Sequence, residues 1–333
     1  FLALLLAFFS AKSQDIHFSQ FYASPLFLSP ANTGFFDGDW RIATNYRSQW
    51  KSIDGIPYET FSLSYDSQYF IYTEQINGGI FIVGDESGYE NLRASKVFLS
   101  VSYKKNISDH VLYFGVQAGY VMKTTNYERY FFDSQYDIGN RSIFNRDLPN
   151  MEGNLKRSLS YPDLNLGAIW SKRLTQDLSA YAGMNIFHLN RPNESFGKLS
   201  GDKFNLPMRK VFFGGGDYKI GKRVSILPNI LVMGQKKASD IMLGTNISYN
   251  YSGDKNRNIY AGPMIRYGWD NNTDAFIAVC GMKFNSYNVG ISYDFNISGL
   301  KTATNTRGAF EISLIYISRN TKPEKIKIPC DRF

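Results

Sequence analysis

Apolar and polar residues alternate along most of this chain, in segments of roughly ten residues. In Tyr287–Asn296, for example, every odd-numbered position is aromatic or aliphatic and every even-numbered position is Asn, Gly, Ser or Asp. Successive side chains of a strand point to opposite faces, so each such segment would have one apolar and one polar face. Roughly ten residues is also the length of a tilted strand that crosses a bilayer.

The alternation predicts fourteen strands, an even number as in most closed bacterial barrels. They are Asp39–Trp50, Tyr58–Asp66, Ile76–Gly84, Arg93–Tyr103, His110–Lys123, Asp163–Ser171, Asp177–His188, Met208–Ile220, Arg223–Gly234, Asp240–Asn250, Asn258–Tyr267, Asp274–Phe284, Tyr287–Asn296 and Gly308–Ser318. We therefore predict an all-β fold, a closed antiparallel transmembrane β-barrel over residues 39–318. Pro228 and Pro263 fall inside two of these strands and cannot donate to a ladder, so we expect bulges there.

The lengths of the connections support the same arrangement. Transmembrane barrels have short turns on the periplasmic side and longer loops outside. Counted from the first strand, the even-numbered connections are all short, whereas the two long ones, Thr124–Tyr161 and Asn190–Leu206, are both odd-numbered. Both long loops therefore lie at the same end of the predicted barrel. We expect that end to face outward and both chain termini to lie in the periplasm.

The same alternation assigns residues to a lipid face and a lumen face. In the first strand, Trp40 and Trp50 would face lipid, one near each interface. Charged residues of both signs would face the lumen: Arg41, Arg47, Asp66, Lys96, Arg266, Asp294 and Glu311. Unpaired charges in a confined lumen are costly, so we expect these residues to pair and to obstruct the lumen. An open pore lined by charges of one sign is not expected.

Both ends of the chain lie outside the alternating region. Phe1–Phe9 is almost wholly apolar and precedes small and polar residues, which is typical of a signal peptide. We expect removal of residues 1–13, and we interpret the sequence as lacking the start of its precursor. Residues 14–38 would form an N-terminal segment, either periplasmic or inside the lumen. Residues 319–333 form a basic tail, which we expect to lie in the periplasm and, with Phe18–Gly34, to dock another component.

Composition narrows the possible functions. Aromatic residues make up 16% of the chain, which suits the interfacial girdles of outer-membrane barrels, so membrane lipid is the expected partner of the outer face. The formal charge of +8 would suit a nucleic-acid partner in the cytosol, but an exported chain rarely meets one. Cys280 and Cys330 are too few for a disulfide framework and too far apart for a clustered metal site.

Motifs that would carry catalysis are weak. Gly216–Arg223 approaches a phosphate-binding loop, but it lacks the final Ser or Thr and spans a predicted hairpin where the motif requires a following helix. His17, His110 and His188 fall in different settings, so we do not expect a zinc triad. Neither a carboxylate pair nor a nucleophile elbow stands out. We therefore predict no catalytic residue, no metal and no cofactor.

The long loop Thr124–Tyr161 has two possible roles. It carries five acidic and five basic residues together with the aromatic side chains of Tyr127, Tyr130, Phe131, Phe132, Tyr136 and Phe144. Long ordered loops often act as lids, whereas aromatic residues with arginine also anchor protein interfaces. Exposure distinguishes the two, because a partner-binding loop would leave several of these rings at the surface.

Several short motifs lie at the two ends of the chain and in its first strand. Near the N terminus, a Phe-Ser-Gln motif followed by an aromatic residue and then a doubled Ser-Pro repeat includes Phe18, Ser19, Gln20, Phe21, Pro25, Leu26, Pro30, Ala31 and Gly34. The first strand contributes Tyr46, Arg47, Gln49 and Trp50. The carboxyl end contributes Cys330, Arg332 and Phe333. At these residues, and over essentially its whole length, the chain resembles the PorP/SprF family of Bacteroidota. Members of that family commonly carry Asn where this chain has Ser24 and Ser29.

The resemblance implies an outer-membrane protein of the type IX secretion system, connected in some members with gliding motility and the delivery of surface adhesins. It implies a non-enzymatic component that contacts secreted adhesin-like substrates or periplasmic partner subunits, with the motif residues as candidate contacts. An outer-membrane porin or ligand transporter is the alternative, and an outer-membrane enzyme is a third possibility. An open lumen with a constriction of one charge sign would favour the porin, whereas a convergent catalytic pair below the outer loops would favour the enzyme.

Overall fold

Strands make up most of the chain that the computed structural model describes, which comprises residues 16–51, 56–87, 92–126, 133–137, 143–145, 147–149, 156–197, 204–236, 238–254, 257–268, 272–299 and 301–319. The strands are β1 (Trp40–Gln49), β2 (Tyr58–Ile71), β3 (Glu74–Ser87), β4 (Leu92–Ile107), β5 (His110–Thr124), β6 (Tyr136–Asp137), β7 (Ile143–Phe144), β8 (Ser158–Arg173), β9 (Leu178–Phe187), β10 (Arg209–Ile220), β11 (Val224–Gln235), β12 (Ala238–Asn250), β13 (Arg257–Gly268), β14 (Asn272–Phe284), β15 (Tyr287–Asn296) and β16 (Arg307–Ile317). Short helical turns cover Phe21–Ala23, Pro25–Leu28, Pro30–Asn32, Asp133–Gln135 and Lys301–Thr304.

Fourteen of the strands form a closed antiparallel barrel, as predicted. Each strand pairs with its neighbours in sequence, and β1 closes the barrel by pairing with both β2 and β16, so that Arg41 lies between Asp66 and Ile317. The remaining two strands, β6 and β7, form a separate hairpin inside the loop between β5 and β8. The two long connections, β5–β8 and β9–β10, lie at one end of the barrel. The short-turn end is where the chain enters β1 and leaves β16.

Burial along the strands is the reverse of that in a soluble protein. In β2, Phe61, Leu63 and Tyr65 are 46%, 38% and 41% exposed, whereas the neighbouring Ser64 and Asp66 are 5% and 0% exposed. The barrel therefore presents apolar side chains outward and polar side chains inward, which is the arrangement of a barrel surrounded by lipid. Across the described residues, no helix has both the length and the apolar character that crossing a membrane requires.

Aromatic side chains pack together near both ends of β1. Trp40 packs against Tyr65 and Tyr316 at ring-centroid distances of 6.1 and 5.0 Å. Trp50 packs edge-on against Tyr58 at the other end, at 5.3 Å. Amphipathic rings at these two levels match the aromatic girdles of membrane barrels.

The structure corrects two details of the predicted strands. Some strands are longer than predicted, since β2 continues to Ile71 and β8 begins at Ser158. The prediction of bulges at Pro228 and Pro263 is wrong, because the register with the neighbouring strand is the same on both sides of each proline. The ladder therefore tolerates the missing donors without an inserted residue. Register shifts occur instead after Arg266 and after Tyr293.

Candidate functional site: a plugged lumen

The N-terminal segment folds into three short helical turns, Phe21–Ala23, Pro25–Leu28 and Pro30–Asn32. The second and third turns each begin with a proline, at a position where the missing N–H costs no hydrogen bond. Ser29 caps the third turn, because its Oγ accepts a hydrogen bond from the backbone N–H two residues later at 3.1 Å. The doubled Ser-Pro repeat is therefore the sequence pattern of two compact turns.

These turns lie inside the barrel, and we call residues Phe18–Gly34 the plug. Phe18 is 1% exposed, and Ser19 and Leu26 are 0% exposed. Inward side chains of β2, β4, β5 and β9 bind the plug from different sides of the wall, which provides partners for backbone and hydroxyl groups that the turns leave unpaired. The hydrogen-bonded pairs include Ser24–Ser62, Leu26–Gln117, Leu28–Asn185, Ser29–Asn185, Thr33–Ser100 and Thr33–Ser102.

Glu311 on β16 binds the start of the plug. Its two carboxylate oxygens accept hydrogen bonds from the backbone N–H groups of Ser19 at 2.6 Å and Gln20 at 2.9 Å. The same carboxylate forms an ion pair with Arg47 of β1. Glu311 is 0% exposed, so this charge is removed from water and depends on these three donors.

A second carboxylate, Asp294 of β15, lies beside the first. It forms ion pairs with Arg47 at 3.0 Å and Arg266 at 3.1 Å, and it accepts a hydrogen bond from Ser19 Oγ at 2.8 Å. The Ser19 hydroxyl in turn accepts hydrogen bonds from the two arginines at 2.8 and 3.2 Å. Two buried cations and two buried anions thus surround one serine of the plug, and the balanced charge is what makes their burial tolerable.

A separate ion pair holds the other end of the plug. Arg41 binds Asp66 through two parallel contacts, Nε to Oδ1 at 3.0 Å and Nη2 to Oδ2 at 2.8 Å. Asp66 also accepts a hydrogen bond from Gly34 N at 2.8 Å, and Arg41 donates to Asn32 O at 2.9 Å. The guanidinium carbon lies 4.6 Å from the ring centre of Phe36. This end of the plug is therefore fixed to β1 and β2.

The plug passes through the lumen from the long-loop end to the short-turn end. Arg209, the first residue of β10 at the long-loop end, donates to Ile16 O at 3.5 Å. At the opposite end, Gln68 Nε2 donates to Gly34 O at 3.0 Å and to Phe36 O at 2.7 Å. The segment therefore occupies the lumen along its length before the chain turns into β1.

Close packing of the plug on the wall leads to a prediction about Gly115. A Cβ added at Gly115 would lie 2.3 Å from the carbonyl carbon of Pro30 and 2.4 Å from Ala31 N, so Gly115→Val must displace the plug backbone. We expect a loss of about 1–3 kcal/mol in the free energy of unfolding and faster proteolysis of the plug. Gly84→Val is the matched control, because a Cβ there meets no atom within 4 Å. Equal stability and protease resistance of the two variants would contradict this packing.

The motif residues of the first strand divide between the two faces of the barrel. Gln49 faces inward, and its Oε1 accepts hydrogen bonds from Arg47 at 3.2 and 3.1 Å. Tyr46 points outward and donates to Glu59 at 2.6 Å, and Trp50 lies at the outer rim. The role of the motif residues as partner contacts stays a prediction, and in this structure the plug residues contact the barrel wall. Outside the described residues lie Cys330, Arg332 and Phe333.

Several residues that hold the plug were not candidates from the sequence. Ser100, Gln117 and Asn185 are uncharged, and each is 1–3% exposed. The alternation places them on the lumen face, but a neutral inward side chain gives no indication of whether it meets water or protein. Small and amide side chains are frequent on the inward face, and this is a weak indication that the wall packs against protein. Gly115 and Gly167 are examples, because an added Cβ atom at either position would meet the plug.

The other sequence candidates form no convergent site among the described residues. The stretch 216–223 covers the end of β10 and the tight turn that leads into β11, as the hairpin interpretation requires. His188 Nδ1 lies 2.8 Å from Asp163 Oδ2, and His110 Nδ1 accepts a hydrogen bond from Trp170 at 2.8 Å. These two histidines thus have separate structural partners. Within the described part of the chain, no three His, Cys, Asp or Glu side chains are grouped to hold a metal ion.

A closed barrel with an apolar outer face, a polar interior and long loops at one end has the architecture of an outer-membrane β-barrel protein. The sequence comparison then identifies the family. The chain belongs to the PorP/SprF family of type IX secretion system membrane proteins, whose sequence profile matches residues 10–316. The protein is therefore an outer-membrane component of the type IX secretion system. A comparison with curated proteins finds no significant match.

Several solved structures of membrane channels are similar to this barrel. The monoaromatic hydrocarbon channel CymD has a TM-score of 0.51 at 8% sequence identity. The match covers 90% of this chain and 94% of the CymD chain. The toluene transporter TodX of Pseudomonas putida has a TM-score of 0.49 at 11% identity, covering 91% and 94%. A FadL homologue of Pseudomonas aeruginosa also has a TM-score of 0.49 at 11% identity, covering 88% and 94%. At such low identity, CymD supports only the fold.

Proposed function

We propose that this protein is a non-enzymatic component of the type IX secretion and gliding machinery that acts as a sealed membrane anchor. In this role its barrel passes no cargo, and its ends contact a secreted adhesin-like substrate or periplasmic partner subunits. The observation that carries the proposal is the plug, which occupies the lumen and is hydrogen-bonded at both ends to buried charged residues of the wall. A barrel filled in this way is suited to binding at its rims.

The plug also argues against the porin or ligand-transporter alternative. A conducting lumen requires a continuous polar path, but residues on β2, β4, β5, β9, β15 and β16 all bind the plug. Release of the plug would take the Ser19 and Gln20 donors away from the buried carboxylates of Asp294 and Glu311, which is costly. Likeness to CymD shows a shared fold and does not favour transport.

The long-loop end is the proposed surface for a secreted substrate. In membrane barrels the longer loops face the cell exterior, and both long connections of this chain lie at that end. Of the six aromatic residues in the β5–β8 loop, the structure describes Tyr136 and Phe144, which are 41% and 49% exposed and pack edge-on at 5.1 Å. Exposed rings of this kind favour the partner-binding role of the loop over the lid.

The short-turn end is the proposed periplasmic surface. The chain leaves β16 there, so we place the basic tail, residues 319–333, in the periplasm as a contact for a partner subunit. Ile16, in contrast, lies near the long-loop end, beside the first residue of β10. For this reason we confine the periplasmic assignment to the carboxyl-terminal tail and assign residues 16–38 to the plug and its connections.

Co-purification from native outer membranes tests this function. We expect the affinity-tagged protein to recover type IX secretion components, and a chain lacking Lys322–Phe333 to recover markedly less of the periplasmic ones while inserting normally, as judged by heat-modifiable gel mobility. Bulk lipoproteins and porins of the same membranes serve as the background control. Recovery of only that background by the full-length protein would contradict the anchor function, and unchanged recovery by the truncated chain would contradict the role of the tail.

A further inference from the structure

A groove of about 740 Å³ lies on the outer face of the barrel, across β4, β5, β8, β9 and β10. Its centre is a row of cross-strand neighbours in which Phe114 is followed by Ala168, Met184 and Phe212. Because Ala168 is small, the surface drops between the larger side chains on either side. Four of these strands, β5, β8, β9 and β10, carry the two long loops, and the groove faces the membrane.

The groove has a single charged lining residue, Lys210. Lys210 pairs with Ile186 of β9 in the ladder and is the second residue of β10, close to the long-loop end. Its side chain is exposed, and it has no hydrogen-bond or ion-pair partner in the described part of the chain. No acidic residue lines the groove. One end of an otherwise apolar groove therefore presents an unneutralised ammonium group.

A lysine on the lipid-facing side of a barrel costs about 2–4 kcal/mol at the centre of the bilayer but about 0–1 kcal/mol near the interface. Lys210 lies near the end of its strand, and its long stem allows the ammonium group to reach the headgroup level while the methylenes stay against apolar surface. An anion at that level would neutralise it. The apolar part of the groove extends from this point across five strands, about 19 Å at the usual spacing of neighbouring strands.

We propose that this groove is a binding site for a phosphate-bearing acylated lipid of the outer leaflet, of the lipid A class. An acyl chain lies in the depression over Ala168, between Phe114 and Met184, and the phosphate lies on Lys210. The outer leaflet is the relevant source because Lys210 is at the long-loop end. Any lipid tail covers the apolar wall equally well, so selectivity for this lipid comes from the shape of the groove and from the ammonium group. The site is separate from the plug and from the partners of the long loops.

Native mass spectrometry of the full-length protein, titrated with purified diphosphoryl lipid A or with the same lipid after removal of its phosphates, tests the site. We expect the phosphorylated lipid to bind more tightly to the wild-type protein. Lys210→Gln should weaken its binding about fivefold, the effect of losing roughly 1 kcal/mol from one basic residue at an anionic lipid surface, and should leave the dephosphorylated lipid unchanged. Ala168→Trp should fill the groove and weaken both.

Lys105→Gln is the matched control, because Lys105 lies near the short-turn end, where it pairs with Glu74 at 3.1 Å and does not line the groove. This variant should bind both lipids as the wild type does. All three variants alter exposed or half-buried positions, and heat-modifiable gel mobility confirms that each barrel is folded. Equal wild-type affinity for the two lipids, or equal binding by Lys210→Gln and Lys105→Gln, would overturn the proposal.

Discussion

A chain that lacks residues 18–34 should form a barrel that conducts ions across a planar bilayer, whereas the full-length protein should conduct almost none. The plug fills a lumen enclosed by fourteen strands and lined by polar side chains. Barrels of 8 strands are filled by their own side chains, and those of 16–18 strands leave an aqueous channel, so a lumen of intermediate size opens when its filling is removed. We expect a change from a closed baseline to stable single-channel steps, recorded at equal protein density.

The control for this deletion is a chain without Lys322–Phe333, which removes a segment outside the barrel strands. It should stay closed. Heat-modifiable mobility must show that both truncated barrels have folded, since an unfolded chain also fails to conduct. If the folded barrel without the plug is as closed as the wild type, another part of the chain fills the lumen and our account of the plug is wrong.

Replacing Glu311 with alanine should loosen the plug and destabilise the barrel by about 3–5 kcal/mol, the usual effect of removing one partner from a buried ion pair. The substitution leaves the backbone N–H groups of Ser19 and Gln20 without their acceptor and leaves Arg47 with only one of its two carboxylates. Hydrogen exchange at Phe18–Gly34 and the free energy of unfolding in denaturant both report the effect. Exchange should accelerate first in the plug.

Glu86→Ala is the control for Glu311→Ala. Glu86 pairs with Arg93, but their side chains are 41% and 63% exposed, so we expect a loss of no more than about 1 kcal/mol. Glu311→Gln keeps the size of the side chain and one acceptor oxygen while removing the charge, so its effect should lie between the two. Stability and plug exchange in Glu311→Ala that match those of Glu86→Ala would show that the buried cluster does not hold the plug.

The barrel could be predicted from the sequence because lipid-facing and lumen-facing positions alternate along every strand. A strand between lipid and a polar lumen must alternate, and the alternation gives both the number of strands and the facing of Arg41, Arg47 and Asp66. Strand ends were harder to place. In β2 the apolar run Tyr69–Tyr72 breaks the alternation, because β2 continues past the start of β1 and pairs there with β3 alone, and side chains on both faces are exposed.

The site could be predicted only in part. The motif residues of the plug were recognised by resemblance, and the lumen charges by alternation, but their meeting at Ser19 could not be inferred from either. The contacts join residues up to 292 positions apart, such as Ser19 and Glu311, and no local pattern encodes such a distance. The neutral partners Gln117 and Asn185 were missed because hydrogen bonds to a backbone carbonyl require only an amide side chain at the right height in the lumen.

The most direct test of the account is whether the plug lies against the inner wall in native outer membranes. Thr33 Oγ1 and Ser100 Oγ are 2.6 Å apart, so Thr33→Cys with Ser100→Cys, in a chain carrying Cys280→Ser and Cys330→Ser, places two sulfur atoms near bonding distance. Thr33→Cys with Ser248→Cys is the control, because Ser248 lies on β12, across the barrel from β4. We predict a near-complete disulfide in the first pair, seen as a mobility shift under non-reducing conditions, and none in the second. Free thiols in both pairs, in correctly inserted protein, would contradict a lumen filled by the plug.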